Sequence, residues 1–188
     1  MTGGAADGHH RRMSPREPAP PRFDQTPADE RARNPRAERS AQNLWSGVLF
    51  GVGLVAFLDE AVFHQLLHWH HFYDRATPEW GLISDGLFHA FSWFATIAGL
   101  FLLADLRRRG ALWWRRWVGG VLVGAGAFQL YDGTVHHKWF RIHQIRYVED
   151  VLAYDVVWNV SAVLILAAGI VLSVMTRPAG IARAKERT

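Results

Sequence analysis

The sequence has no cysteine among its 188 residues and only three methionines, Met1, Met13 and Met175. The lack of cysteine excludes a redox dithiol. A Cu(I) carrier would be expected to place sulfur ligands near its other metal-binding residues, and none of the three methionines lies within residues 58–72 or 131–143, which hold seven of the ten histidines. A glycine-rich nucleotide-binding loop and a nucleophile elbow are also missing. The sequence therefore favours neither nucleotide chemistry nor soft-metal transport.

The first forty residues have hardly any large apolar side chains. They hold six of the eight prolines, eight arginines and six acidic residues. Such a segment cannot bury enough surface to offset the entropy of the chain. We predict a disordered, basic, Pro-rich tail over residues 1–40, a transmembrane domain over residues 41–176, and a second basic tail over residues 177–188.

Four apolar runs follow the tail. A bilayer core of about 30 Å takes roughly 20 helical residues, and each run is long enough to cross it. The first run is longer than the apolar part of a cleavable signal. The sequence predicts an all-α integral membrane four-helix bundle in a lipid bilayer. Its spans are expected at about 44–69, 85–105, 115–137 and 151–175.

The basic residues predict the orientation, because lysine and arginine are retained on the cytoplasmic side. Seventeen of them lie in the two tails and in the connection at 106–116, and four lie in the other two connections. We expect a multi-pass plasma-membrane protein with both termini in the cytoplasm. The pI of about 10.0 reflects this topology and not nucleic-acid binding, because the arginines flank the spans.

The chain contains an internal repeat. A shift of 73 positions aligns GVLFGVGLVAFLD (47–59) with GVLVGAGAFQLYD (120–132), and a shift of 70 aligns the second span with the fourth. Recurring glycines are common in membrane helices, but recurring Asp and His are not explained in that way. We predict two pseudo-symmetric helical hairpins related by an axis along the membrane normal. The matched polar pairs are Asp59/Asp132, His64/His137, His70/His143, Asp85/Asp155 and His89/Asn159.

Acidic and histidine side chains gather at one end of the predicted spans. Ionisable groups in a membrane cost several kcal/mol unless they face the bundle interior and find partners, so they suggest a function. Histidine with carboxylates and no thiol suits zinc, iron or manganese, with Cu(II) as a further possibility. We predict a metal site, zinc or iron, near the outer face. Its candidate residues are Asp59, His64, Asp85, His89, Asp132, His136, His137, Asp155 and Asn159.

Two neighbouring histidines give conflicting signals. Asp132 and His136 are four residues apart and share one face of an ideal helix, whereas the repeat aligns His64 with His137. A local bulge could absorb the extra residue. We therefore predict that His64, His89 and His137 point inward, with His136 as the alternative to His137.

The remaining histidines of the first span are expected to be peripheral. HQLLH (64–68) has the histidine spacing of zinc-binding helices, but Gln65 replaces the glutamate that would act as a base, so a zincin-type protease is disfavoured. HWHHF (68–72) lies where the helix leaves the membrane, where such residues are more often interfacial anchors. We expect His68, His70 and His71 to be anchors.

The spans carry the motifs D-x4-H-Q, W-H-H, D-G-L-F-H-A, Y-D-G-T-V-H-H-K, I-H-Q-I-R and D-x2-W-N. With these motifs, the chain resembles domain of unknown function family 2243, an uncharacterised bacterial family of four-span membrane proteins. The resemblance covers about residues 44–175 and implies an integral membrane protein without an established activity. Some members are encoded near a cytochrome oxidase assembly protein, which implies respiratory or metal-handling partners. Glu60 stands where the resemblance implies a small residue such as glycine, which argues against Glu60 as a ligand.

Three functions stay open. A centre with three histidines and a carboxylate would leave a position for water, as in a metal-dependent hydrolase or oxidase. A b-type haem between His64 and His137 is an alternative, although haem does not need so many acids nearby. A respiratory-complex assembly or scaffold protein, whose polar network only fixes helix register, is the third. The sequence leaves the oligomeric state and any enzymatic activity open.

Overall fold

The structure, a computed structural model, describes residues 35–178, and these residues form helices and connections without a strand. The predicted all-α class is confirmed. Residues 1–34 and 179–188, which make up most of the predicted tails at 1–40 and 177–188, lie outside the described residues. The helices are α1 (Pro35–Asp59), α2 (Pro78–Arg108), α3 (Trp114–Tyr131) and α4 (Leu152–Met175), and two π-helical segments, π1 (Glu60–Leu66) and π2 (Asp132–Phe140), continue α1 and α3.

Helix α1 begins inside the segment that the sequence predicted to be a tail. Pro35 occupies its first turn, where a missing N–H does no harm, and good helix formers follow. The buried Arg116 guanidinium donates from Nε to the carbonyl oxygen of Ser40 at 2.8 Å, which ties this part of α1 to α3. The prediction of disorder is therefore wrong for residues 35–40.

Helices α1 and α3 form the central pair of the bundle, with α2 packed on α1 and α4 packed on α3. Glycines allow the central pair to touch along the backbone. A Cβ on Gly47 would overlap the carbonyl oxygen of Trp117, and a Cβ on Gly120 would overlap that of Leu44. Without side chains at these positions, the two helices approach closely.

Three of the described helices are long and apolar enough to cross a membrane: α1 together with π1, α2, and α4. Helix α3 is not among the three, although the sequence predicted four spans. It has 18 residues, and its first turn carries Arg115 and Arg116. Helix α3 lies between α1 and α4, whereas α2 and α4 expose large apolar side chains such as Phe101 and Leu164, as expected for a surface in contact with lipid.

The internal repeat is visible in the backbone. Both central helices change to π-helix near their C-terminal ends, and each π segment is followed by a non-glycine residue with a φ of 51°. Those two residues, His68 and Arg141, are 73 positions apart, the same shift that aligns the spans. A π-helical turn accommodates an extra residue, so the bulge expected from the sequence is present in both halves.

The end of the bundle opposite the π segments is held by a buried amide. Asn43 donates from Nδ2 to the carbonyl oxygen of Ala111 at 2.9 Å, and its Oδ1 accepts from the backbone N–H of Trp113 at 2.7 Å. These bonds join α1 to the connection between α2 and α3. The connection is therefore part of the packed structure.

Candidate metal centre

Four histidine rings are buried together at the π-helical end of the bundle. His64 and His137 lie in π1 and π2, and His70 and His143 lie in the connections that follow them. Their residues are between 1% and 6% exposed. We name them the four-histidine cluster. Because each half supplies one ring from its π segment and one from its connection, the cluster follows the repeat.

His70 and His143 are held in matching positions by backbone carbonyls of the opposite half. His70 Nδ1 donates to the carbonyl oxygen of Ile145 at 3.0 Å, and His143 Nδ1 donates to that of Phe72 at 2.8 Å. A carbonyl only accepts, so the proton is on Nδ1 and Nε2 carries a free lone pair. Burial, with smaller effects from the neighbouring histidines, lowers the pKa of His70 to about 2, which keeps its ring neutral.

Two buried aspartates contact the four-histidine cluster. Asp132 Oδ2 lies 3.1 Å from His137 Nε2, and Asp132 Oδ1 lies 3.6 Å from His143 Nε2. In the other half, Asp59 Oδ2 lies 3.9 Å from His64 Nε2. Asp59 is the last residue of α1 and Asp132 is the first residue of π2, so both lie where a π segment begins. Each half therefore presents a carboxylate and two imidazoles to the same interior space.

Several of these atoms have no hydrogen-bond partner although they are buried. They include the Nε2 atoms of all four histidines, Oδ2 of Asp59 and Oδ2 of Asp132. These atoms form two groups, and within each group the ligating atoms lie within 4.8 Å of one another. One group is His70, His137 and His143, and the other is Asp59, His64 and His70, so both groups share His70. Such an arrangement can hold a metal ion.

The structure brings together four of the residues predicted for the site: Asp59, His64, Asp132 and His137. Their role as metal ligands stays a prediction. Of the two alternatives in π2, His137 is the ring inside the cluster, as the repeat predicted. His136 lies beside it, and its Nδ1 is 2.9 Å from Asp132 Oδ1. Asp132 and His136, which are four residues apart, are therefore also in contact.

The predicted inward orientation of His89 is wrong. Its side chain is exposed on α2, where its ring is 5.7 Å from that of Phe57. One turn earlier on the same helix, Asp85 is buried and faces His64. Helix α2 packs mainly on α1 and turns the face of Asp85 toward the cluster, which leaves His89 outside it.

Asp155 and Asn159 lie beside the cluster and not within it. The Lys138 ammonium contacts Asp155 Oδ2, and Asn159 donates from Nδ2 to the carbonyl oxygen of Asp155 at 2.9 Å. Asp155 thus has a cation of the protein as its partner. In the other half, the matching Asp85 faces histidines instead.

His70 and His143 were not predicted as part of the site. The expectation that His70 is a peripheral anchor is wrong, because it is 6% exposed and stacks on His143. His68 is exposed, as expected of an anchor, and His71 is half-buried. The match of His70 with His143 under the 73-residue shift was the signal in the sequence that could have identified both rings.

Two apolar clefts of related composition flank the cluster. A cavity of about 410 Å³ is lined by Phe72, Phe88, Phe128 and His136 among others. A second cavity of about 360 Å³ lies in the other half, and Phe63 occupies the position that matches His136. Only the first of these two clefts has an imidazole that also contacts the buried Asp132.

A third cavity connects the cluster to the surface. It has a volume of about 450 Å³ and is lined by His68, Trp69, His70, His71, Asp74 and Tyr147. Burial, reinforced by the neighbouring Asp74, raises the pKa of Tyr147 to about 12. The cavity therefore offers a polar route from the exposed His68 to the buried His70.

Comparisons with known proteins give one match. The family model described as "Predicted membrane protein (DUF2243)" matches residues 46–176. No curated protein matches the chain. No solved structure matches it either.

Proposed function

Since the chain belongs to this membrane protein family, we propose that its function depends on a metal ion bound by the four-histidine cluster, with Asp59 and Asp132 as neighbouring carboxylates. The observation that carries the proposal is the set of buried nitrogen and oxygen atoms without hydrogen-bond partners. Buried polar groups in proteins are almost always satisfied, so such a concentration of exceptions needs an explanation. A cation bound among these atoms would satisfy several of them at once.

The short contacts within the cluster support a shared ion. Asp132 Oδ2 and His137 Nε2 are 3.1 Å apart, yet neither has a hydrogen-bond partner. Two lone pairs at that separation repel each other unless a proton or a cation lies between them. Ligand bonds of about 2.0–2.2 Å bring neighbouring ligand atoms to a comparable separation.

The surroundings of His70 and His143 favour metal binding by Nε2. In metal sites, a ligating histidine usually donates its other ring N–H to a carbonyl or carboxylate, which fixes the tautomer and the ring orientation. The carbonyls of Ile145 and Phe72 do this for His70 and His143. A nitrogen-rich centre with carboxylates and no sulfur suits zinc or iron.

Haem is a weaker alternative. The rings of His70 and His143 are stacked with centroids 4.7 Å apart, and those of His64 and His70 are 4.5 Å apart. A porphyrin is much wider than these separations and would need a slot between its axial ligands. Neighbouring imidazoles fill that space, so the packing disfavours haem.

A scaffold role without metal is also disfavoured. A polar network that only fixes helix register is stable when each member is satisfied, because every unsatisfied buried group costs about 1–3 kcal/mol. The cluster leaves many such groups unpaired. Partnership with respiratory or metal-handling membrane proteins is compatible with metal binding and is part of the proposal.

We also propose an orientation for the protein in the membrane and a class of reaction at the metal ion. The distribution of lysine and arginine favours cytoplasmic termini and a four-histidine cluster at the outer face of the plasma membrane. The cavity that leads to His70 would bring water to the metal ion from that face. Access of water to a metal is the requirement for a metal-dependent hydrolase or oxidase.

The test is elemental analysis of the full-length protein purified in detergent, together with its visible absorption spectrum. We expect stoichiometric zinc or iron and no Soret band. A Soret band would support haem, and a folded protein without bound metal would support the scaffold. The variant His70→Ala should lose metal, whereas His68→Ala, an exposed histidine two residues away, should retain it.

A further inference from the structure

A second group of ligating atoms lies on the α2 side of the four-histidine cluster. It consists of Glu60, His64 and Asp85, each about 1% exposed. His64 Nδ1 lies 2.8 Å from Glu60 Oε2 and 3.2 Å from Asp85 Oδ1. His64 Nε2 faces the other way, toward Asp59. The two nitrogens of one ring therefore face two different groups.

Some atoms of this second group have ordinary hydrogen-bond partners. Gln65 donates from Nε2 to Glu60 Oε1 at 2.8 Å, and the backbone N–H of Phe72 donates to Asp85 Oδ1 at 2.7 Å. Glu60 Oε2 and His64 Nδ1 remain without a hydrogen bond, although they are 2.8 Å apart. A proton on His64 Nδ1 would thus be poorly aligned with the nearest carboxylate.

The basic side chains beside the two carboxylates are histidines. Within residues 35–178, no lysine or arginine forms an ion pair with Glu60 or Asp85. The contact of His71 Nδ1 with Asp85 Oδ2, at 2.6 Å, is the nearest substitute. Burying two carboxylates side by side is strongly unfavourable unless a positive charge lies between them.

The other half of the repeat shows what occupies the equivalent place. There, the Lys138 ammonium contacts Asp155, the counterpart of Asp85, and Gln144. The 73-residue shift places Gln65 at the position of Lys138 and Glu60 at the position of Gly133. The first half therefore has a neutral amide in place of the ammonium and one more carboxylate.

We propose that Glu60, His64 and Asp85 form a second divalent-cation site, which we name the pendant site. It rests on the proposed function, because His64 links it to the four-histidine cluster. With both ring nitrogens as ligands, His64 would bridge the two ions as an imidazolate, and its ring proton would be released to solvent. The ion would take the place that the ammonium has in the other half. Two carboxylates and one imidazole form a harder ligand set than four imidazoles, and they suit Mn²⁺ or Fe²⁺.

The pendant site has a route to the surface. His71 contacts Asp85 and is partly exposed, and it lines the cavity of about 450 Å³ together with His68 and Asp74. His71 thus lies between this cavity and Asp85. Because His70 lines the same cavity, the pendant site and the four-histidine cluster share one opening.

The experiment is a titration of the full-length protein in detergent with Mn²⁺ alone, with free Mn²⁺ measured by electron paramagnetic resonance. Elemental analysis of the same preparations counts the metal that is already bound. The variants are Glu60→Gln, which removes the charge, and Glu60→Gly, which copies the residue at position 133. Asp155→Asn is the matched control, because its carboxylate already has the Lys138 ammonium.

We expect both Glu60 variants to bind one metal ion fewer per chain than the wild type, and Asp155→Asn to bind as many as the wild type. A His143→Ala variant should lose the ion of the four-histidine cluster and keep that of the pendant site. Circular dichroism and gel filtration test whether each variant is folded and monodisperse. If Glu60→Gln does not fold, Glu60→Gly takes its place.

The two proposals fail in different ways. Equal metal binding by the wild type and a folded Glu60 variant would overturn the pendant site, and the proposed function would stand if His143→Ala still lost metal. If His143→Ala kept every ion while the Glu60 variants lost one, the four-histidine centre would be wrong. A loss of metal in Asp155→Asn equal to that in Glu60→Gln would contradict the specific role of Glu60.

Discussion

The rings of His70 and His143 are stacked, with centroids 4.7 Å apart and planes only 6° from parallel. Each ring donates from Nδ1 to a carbonyl of the opposite half of the repeat, so that both Nε2 atoms remain free inside the bundle. The 73-residue shift relates the two rings, and it also relates Phe72 to Ile145, whose carbonyls accept these bonds. The pair links the two hairpins and gives the proposed centre two of its ligands.

Replacing His143 by Ala should remove the metal bound by the four-histidine cluster. The change deletes a free Nε2 and also the hydrogen bond that joins the two halves. The measurement is metal content per chain after gel filtration. His89→Ala is the matched control, because His89 is exposed on α2 and should not affect metal content. Equal metal content in the two variants would argue against the centre.

Replacing His136 by Phe should leave metal content unchanged. The repeat places Phe63 at the matching position, and Phe63 lines an apolar cleft of similar size. His136 contacts Asp132 Oδ1, but Asp132 Oδ2 still faces His137. A loss of metal equal to that in His137→Ala would show that the two neighbouring histidines have been assigned the wrong roles.

Replacing Gly47 or Gly120 by Ala should destabilise the central helix pair. The added Cβ would overlap a carbonyl oxygen of the facing helix, and such overpacking costs about 1–3 kcal/mol. Thermal unfolding in detergent, followed by circular dichroism, measures the change. Gly86→Ala is the control, since a Cβ there has no neighbour within 4 Å and alanine favours helix. A Gly47→Ala variant as stable as Gly86→Ala would contradict the close helix contact.

Replacing Asn43 by Ala should lower stability without changing metal binding. The variant leaves the N–H of Trp113 and the carbonyl of Ala111 without their partner, at about 1–3 kcal/mol for each buried group. The unfolding midpoint and the metal content of one sample provide both readouts. Gln42→Ala is the control, because Gln42 bonds the more exposed Asp105. A drop in metal content without a drop in stability would be the opposite of the expected result.

The repeat was the most informative feature of the sequence. The matched Asp and His residues predicted two hairpins. They also correctly favoured His137 over His136 as the ring that points inward. The ideal helical spacing could not decide this question, because the π segments change the rotation per residue just where the site lies. The repeat in the sequence matches His64 with His137. It does not show that π-helical turns bring both rings into the interior of the bundle.

Other features of the site depend on tertiary packing. His89 lies at helical spacing from Asp85, yet α2 contacts α1 along one face only, so that one residue is buried and the other is exposed. His70 follows a backbone turn with a positive φ at His68, which returns the chain toward the bundle. If the chain is expected to leave the membrane at this point, His70 is predicted to be an interfacial anchor. That expectation misses His70 as a candidate ligand.

X-ray absorption at the edge of the bound metal, measured on the purified full-length protein, tests the central claim most directly. The account predicts a first shell of nitrogen and oxygen at about 2.0–2.2 Å, with the multiple scattering of at least three imidazoles and no sulfur. A shell of water oxygens alone, a single imidazole, or a porphyrin signature would contradict a metal ion bound by His64, His70, His137 and His143.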